Sequence, residues 1–266
     1  MKRSFTFIII SLIALCSSAQ DLYIGSFYVT TTDEESQFGD GKDKWATRKT
    51  AICDMFKFEL PDVLGLQGAT TSQMSAIRTG LNSNMTGMAS YKLAEGILYN
   101  NTVELDTCGV VDEMPEGCTC SWAKLQKDGK GFYVFNFSLT DSLAYASVNR
   151  IRVAITAINS ENLPIFALGY LGSNETKNAY SRMTARYNDC YTKSPIVSAE
   201  YGTVNNFDLA NNHSSNRYDF IFTTKTVTTK AYGQLQYAYF TKESDGSYKR
   251  RLPSTHFPVM AKTTLK

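Results

Sequence analysis

The chain offers few side chains suited to acid–base or nucleophilic work, and their places are easily found. Its two histidines are His213 and His256. His213 lies in the polar stretch NNHSSN (211–216), the setting of a solvated imidazole. His256 immediately precedes the apolar run Phe257–Ala261 and is the candidate for holding or moving a proton near neutral pH. In PDVLGLQG (61–68) an apolar run, Val63 to Leu66, closes on a polar end, where an α/β enzyme commonly carries a catalytic acid. Here that end is Gln67 and Gly68, and neither ionises. Carboxylates gather instead in TTTDEESQFGDGKDK (30–44), where Asp33, Glu34, Glu35 and Asp40 could hold a hard cation, although charged loops are ordinarily just solvated. Cys118 and Cys120 form a CxC pair on one face of a strand, but zinc needs a second pair or a nearby histidine.

The elements that must position these groups follow from hydrophobic periodicity. Residues 22–30 are a β-branched and aromatic run, a first strand. A helix opens near Trp45, with Ala51, Ile52, Met55 and Phe56 on one buried stripe, and Pro61-Asp62 ends it. Val63–Leu66 is a strand, and 71–82 a second amphipathic helix with Met74, Ile77 and Leu81 on one face. Further strands are expected at Ile97–Tyr99, Ser121–Leu125, Phe132–Phe137, Ile165–Leu168, Tyr218–Thr223, Gln234–Phe240 and Phe257–Ala261, with a third helix over 143–159. Strands interleaved with helices in both halves, without a Pro/Gly/Ser linker, argue for one domain containing both.

The 266 residues, 43 % hydrophobic with only 6 Pro and 17 Gly, suffice for one large domain with its own core. The N-terminus has the form of an export signal over 1–19: basic Lys2 and Arg3, an apolar stretch from Phe5 to Leu15, and the small residues Ser17-Ser18-Ala19. Leu15 stands where a lipoprotein would need a small residue before Cys16, and no later stretch reads as a transmembrane segment. The expected mature domain is 20–266, in the periplasm or secreted. Cleavage removes two of 27 basic residues and none of 25 acidic ones. The neutral remainder makes nucleic acid an improbable partner and argues against a nuclease. Cys53 reads as a buried free thiol on its helix, and an exported chain could close a short loop between Cys108 and Cys118 or Cys120. With Cys190 the expected mature chain has five cysteines, so at least one thiol is free, and the connectivity cannot be read from the sequence. The sequons at Asn84, Asn100, Asn136, Asn174 and Asn212 matter only in a glycosylating source, and Asn136 lies in a strand that should be buried.

PDVLGLQG resembles the "PDILGLQE" motif of the endonuclease/exonuclease/phosphatase (DNase I-like) family, and other fragments follow in that family's order. They are Trp45 with Arg48, SWAKL (121–125), FYVFNFSL (132–139), PIFALGYLG (164–172), YGTVNNF (201–207), RYDFIFTT (217–224) and LPSTHFPVMA (252–261). The resemblance implies an α+β fold, a four-layer α/β/β/α sandwich of two packed mixed β-sheets flanked by helices. It also implies a phosphoesterase site where strand ends converge, with a carboxylate-held Mg²⁺ activating water and an Asp–His pair stabilising the phosphate.

The chemical groups of that site are mostly replaced. The metal-site Asn of "SFNIR" is Tyr28 in SFYVT, and the ligand Glu is Gly68. The His and Asp of "NTHLD" are Ser138 and Thr140 in NFSLT. The Asp and Asn of "GDFN" are Tyr170 and Gly172 in GYLG, and the Asp of "SDHFPV" is Thr255 in STHFPV. Asp219 and His256 alone keep the family's groups. Residues that act as a unit do not leave a fraction of activity behind when most are lost. The expectation is therefore a catalytically inactive member with no metal site and no cofactor, acting as a binding or interaction module. Asp219 with His256 would form a structural pair, and the old cleft would be lined by Tyr28, Tyr170, Ser138 and the threonines. Its ligand would be a small planar or sugar compound, or a protein, held by stacking tyrosines. The rival is a metal-dependent phosphoesterase, with Mg²⁺, rebuilt from Asp219, His256 and the acidic loop. A third reading is a docking scaffold with no small ligand.

Overall fold

In the computed structural model the described residues are 20–38, 43–83, 90–198, 202–209 and 216–265. The export-signal residues 1–19, Asp40, Asn84, Asn212 and His213 lie outside them. The first half runs β1 (Gln20–Tyr28), α1 (Trp45–Glu59), β2 (Val63–Gln67), α2 (Thr71–Asn82), β3 (Tyr91–Ala94), β4 (Ile97–Asn100) and β5 (Glu104–Val110). Then come β6 (Thr119–Lys127), β7 (Lys130–Ser138), α3 (Ala144–Ile158), β8 (Ile165–Tyr170), α4 (Asn178–Thr184), β9 (Asn188–Asp189) and α5 (Cys190–Lys193). The remainder is β10 (Val197–Ser198), β11 (Asp219–Thr223), β12 (Val227–Gln234), β13 (Tyr239–Lys242), β14 (Tyr248–Arg251) and β15 (Val259–Leu265).

The strands form a mixed sheet ordered β10-β12-β15-β1-β2-β4-β3 and a second ordered β5-β6-β7-β8-β11-β9, with β13 and β14 a separate ribbon. Alternation along the central strands explains why the sheets stack. On β1, Leu22 and Ile24 enter the core between the sheets, while Phe27 packs against α1 and α2 through Ile52, Phe56, Ile77 and Leu81. On β7, Phe132 and Val134 face the other sheet, whereas Tyr133, Phe135 and Phe137 meet Val148, Ile151 and Ile155 of α3. Strands apolar on both faces read as continuous hydrophobic runs, and only a layer on each side can cover them. The result is the α/β/β/α sandwich.

Local signals fix the helices. Thr70 caps α2 in a reciprocal capping box with Gln73. α1 ends where Leu60 turns left-handed at φ 52°, just before Pro61, and its N–H bonds Phe56 O.

Some expectations need correction. No single strand spans 234–240: β12 ends at Gln234, and Tyr239 starts the separate ribbon. The last strand runs over Val259–Leu265, beyond the Phe257–Ala261 read from the apolar run. A Cys108 disulfide to Cys118 or Cys120 is not formed. Cys108 packs against the core between the sheets and the CxC pair against the α3 core, so the thiols lie on opposite faces of one sheet. Cys53 and Cys190 are likewise buried free thiols. Among the described residues no helix is long and apolar enough to cross a membrane.

Candidate functional site

The strand register brings several of the sequence-derived positions together. Gly68 directly follows β2, whose last residue, Gln67, pairs in parallel with Tyr28 at the end of β1. In the second sheet Ser138 pairs with Tyr170, and Tyr170 with Asp219, so the three form one row across β7, β8 and β11. His256 enters from the segment before β15 and bridges Val204, while Phe257 N–H donates to Thr203 O at 2.8 Å. Thr203 Oγ1 in turn accepts from the N–H groups of Tyr218 and Asp219. This stitching sets His256 Nδ1 2.8 Å from Asp219 Oδ2, with both residues buried.

The Tyr28 ring stacks on the His256 imidazole, centroids 4.4 Å apart and planes at 27°. Tyr170 meets both rings edge-on, 5.2 Å from His256 and 5.2 Å from Tyr28. The Tyr28 hydroxyl donates to Glu34 Oε1 at 2.7 Å, and Glu34 Oε2 accepts from Thr31 N–H. Burial foremost, and then Glu34, pushes the Tyr28 hydroxyl far above its ordinary range. Burial and the charge of Asp219 push Tyr170 up to about 12. Both phenols are neutral hydrogen-bonding groups at physiological pH.

The same ring stands over Gly68, which has φ +66°. A Cβ there would lie 2.7 Å from Tyr28 Cζ and 2.8 Å from Cε2, so Tyr28 occupies the space that a Gly68 side chain would need. Gly172 is closed by backbone. At φ +70° its Cβ would approach Leu139 O to 2.5 Å. Thr255 joins Thr30 and Ser254 in a buried hydroxyl network, with Oγ1–Oγ1 2.8 Å to Thr30. Thr140 is exposed and touches Cys118.

The donor set does not fit the hard divalent cation that the resemblance implies, which requires several carboxylate or amide oxygens. Tyr28 offers a phenol already committed to Glu34, and Gly68 and Gly172 offer nothing. Of the acidic loop, Glu34 reaches the site. Glu35 is taken by Arg48, at 3.1 Å, and by the N–H of Trp45 at the start of α1. Asp33 is exposed. Among the described residues no three His, Cys, Asp or Glu side chains form a metal-binding group.

The expected single cleft is divided in two. A cavity of about 610 Å³ holds His256, Tyr28, Tyr170, Tyr218, Glu34 and Thr255. A second, of about 530 Å³, is lined by Gly68 and Ser138 together with Met74, Met114, Leu93 and Val111. Thr140 and Gly172 line neither. Ser138 lines the second cavity and the tyrosines the first, although Ser138 and Tyr170 are register partners.

Sequence reasoning missed Asn205, which lines the first cavity and is 3 % exposed. Its Oδ1 accepts from Phe207 N–H at 2.8 Å, which fixes the amide orientation, and its Nδ2 has no partner among the described residues. The fragment YGTVNNF contains it, but nothing in the residue types marks one asparagine over its neighbour.

No family model matches the chain, and no curated protein matches it by sequence. Solved structures do. An endonuclease/exonuclease/phosphatase family protein from Bacteroides thetaiotaomicron superposes with TM-score 0.82 at 22 % identity, covering 93 % of this chain and 99 % of the other. The chain has the endonuclease/exonuclease/phosphatase fold. A mannosyl-6-phosphatase from the same organism gives TM-score 0.78 at 22 % identity, covering 91 % of this chain and 99 % of that one. The catalytic domain of human Nocturnin gives 0.65 at 12 %, with coverages of 94 % and 97 %. At such identities the likeness is one of fold.

Proposed function

We propose that this chain uses the endonuclease/exonuclease/phosphatase fold as a catalytically silent, exported binding module, with the His256 cavity as its ligand site. The observation that carries the reading is the Tyr28 ring packed over Gly68. It fills the space of the side chain that would bind metal and covers one face of the imidazole that would act with it. The export reading rests on residues 1–19, and the neutral charge of the remainder speaks against a nucleic-acid partner.

The cavity favours a small, uncharged, hydroxyl-bearing ligand such as a sugar. Glu34 lines it, and among the described residues no Lys or Arg does, so a phosphate group finds no cationic partner there. The unpartnered Asn205 Nδ2 calls for an acceptor, which a sugar oxygen supplies and a simple cation does not. Ligand-observed NMR with neutral sugars and their phosphate esters tests this. Binding of a neutral sugar that is weakened at least tenfold in Asn205→Asp is expected, and preference for the esters contradicts it. Asp retains the acceptor for Phe207 N–H, so the turn survives.

His256 on the cavity wall, bonded to the buried Asp219 behind it, supports a second reading, a phosphoesterase with a rebuilt site. One structural neighbour is named a mannosyl-6-phosphatase. Metal-dependent turnover abolished by His256→Ala would establish it.

A further inference from the structure

The outer face of α3, away from both cleft cavities, carries a cluster of charge that the cleft does not use. Arg152 lies on α3, Arg182 on α4, and Arg186 just beyond it, and all three line a shallow cavity of about 690 Å³. Among the described residues no carboxylate lines it. Neutral groups hold two of the heads: Arg182 Nε donates to Asn149 Oδ1 at 2.6 Å and Arg186 Nη1 to Thr156 Oγ1 at 3.2 Å. These bonds orient the guanidiniums and cancel none of their charge.

Arg152 is held by less. Among the described residues its Nε and Nη1 are buried without an acceptor, and the nearby Tyr187 hydroxyl, 4 % exposed as a residue, also lacks a partner. Burial, followed by the charges of Arg182 and Arg186, lowers the Arg152 pKa. Guanidinium N–H groups kept from water without an acceptor are costly, and like charges side by side add to the cost. A tetrahedral oxyanion in the cavity offsets the clustered charge, because the accessible guanidinium forks match its geometry and charge.

We propose that this face binds a phosphate- or sulfate-type oxyanion, carried by a soluble ligand or by an anionic lipid headgroup. The inference is independent of the reading of the cleft, since the two cavities share no lining residue. Tyr145 and Val153, 51 % and 60 % exposed, flank the cluster and give the bearer of the oxyanion an apolar shoulder to cover.

The test compares the purified protein with Arg182→Gln/Arg186→Gln, two exposed positions whose change does not burden the core. Calorimetry measures binding of inorganic pyrophosphate at fixed ionic strength. Sedimentation measures binding to phosphatidylglycerol vesicles, so the two arms separate a soluble source from a lipid one. At least one arm is expected to show binding that falls tenfold or more in the variant. Without anion the variant should melt no lower than the parent, and about 1 °C higher if repulsion is relieved. Equal binding by both proteins, or no binding in either arm, overturns the proposal. So does a drop of several degrees in the anion-free variant, which would make the arginines structural.

Discussion

Tyr28 and Gly68 form one packing unit, the ring standing where a side chain at 68 would go. A side chain at Gly68 requires both a left-handed backbone, at φ +66°, and the volume now filled by the Tyr28 ring. Gly68→Glu, which would place there the carboxylate that the family resemblance implies, should therefore destabilise the fold by roughly 2–4 kcal/mol, combining backbone strain with overpacking. The same change in a Tyr28→Asn background should cost markedly less, because the ring is gone, and denaturant unfolding of both variants and the double variant measures the coupling. Additive costs would show that the ring does not occupy the lost side chain's place. The sequence discloses the identities at both positions but not that one fills the other's space, which requires the register of β1 against β2. For the same reason Ser138 and the tyrosines look like one lining in sequence and are two in space.

At the scale of elements, the loop after β1 and the start of α1 depend on one buried cation. Arg48 is fully buried and donates to Asp43 O, Thr30 O and Pro253 O, and to Glu35 Oε2 at 3.1 Å. Replacing it with Met takes the donor from Asp43 O and Pro253 O, leaves Thr30 O only Gln73 Nε2, and leaves the buried Glu35 carboxylate without its counter-charge and only Trp45 N–H, so Arg48→Met should cost about 3–5 kcal/mol. It should also loosen the turn that holds Glu34 against Tyr28, and hydrogen exchange over 30–36 would report this. Elements with strong apolar periodicity were legible: α1, α2, α3, β2 and β7 fall within a residue or two of expectation. What was not legible is polar or short. β5 is a largely exposed edge strand, β12 buries Thr229 on its inner face, and β9 and β10 are only two residues each. Their pairing comes from neighbouring strands rather than from their own composition.

Over the whole molecule, many tyrosines are buried as neutral phenols, and that gives stability a defined alkaline limit. Burial pushes both Tyr170 and Tyr180 up to about 12, and drives Tyr23, Tyr28, Tyr91 and Tyr232 higher still. An unfolded tyrosine ionises near 10, so this contribution is complete below about pH 10 and is lost as pH rises through 10 to 12. Denaturant midpoints should fall within it alongside phenolate absorbance, after an earlier fall from about pH 9 as the buried thiols Cys53, Cys120 and Cys190, also raised by burial, begin to count. A loss in the window without phenolate absorbance would assign it to other groups. On the proposed reading, His256 lines a cavity with Asp219 bonded behind it, and the residues around them supply neither the cation nor the activated water of a phosphoesterase. The measurement that tests this most directly is hydrolysis of a generic phosphodiester and phosphomonoester by the purified protein with Mg²⁺ or Mn²⁺, beside His256→Ala. The expected result is no rate above the variant from folded protein. A metal-dependent rate that disappears in His256→Ala would contradict the account.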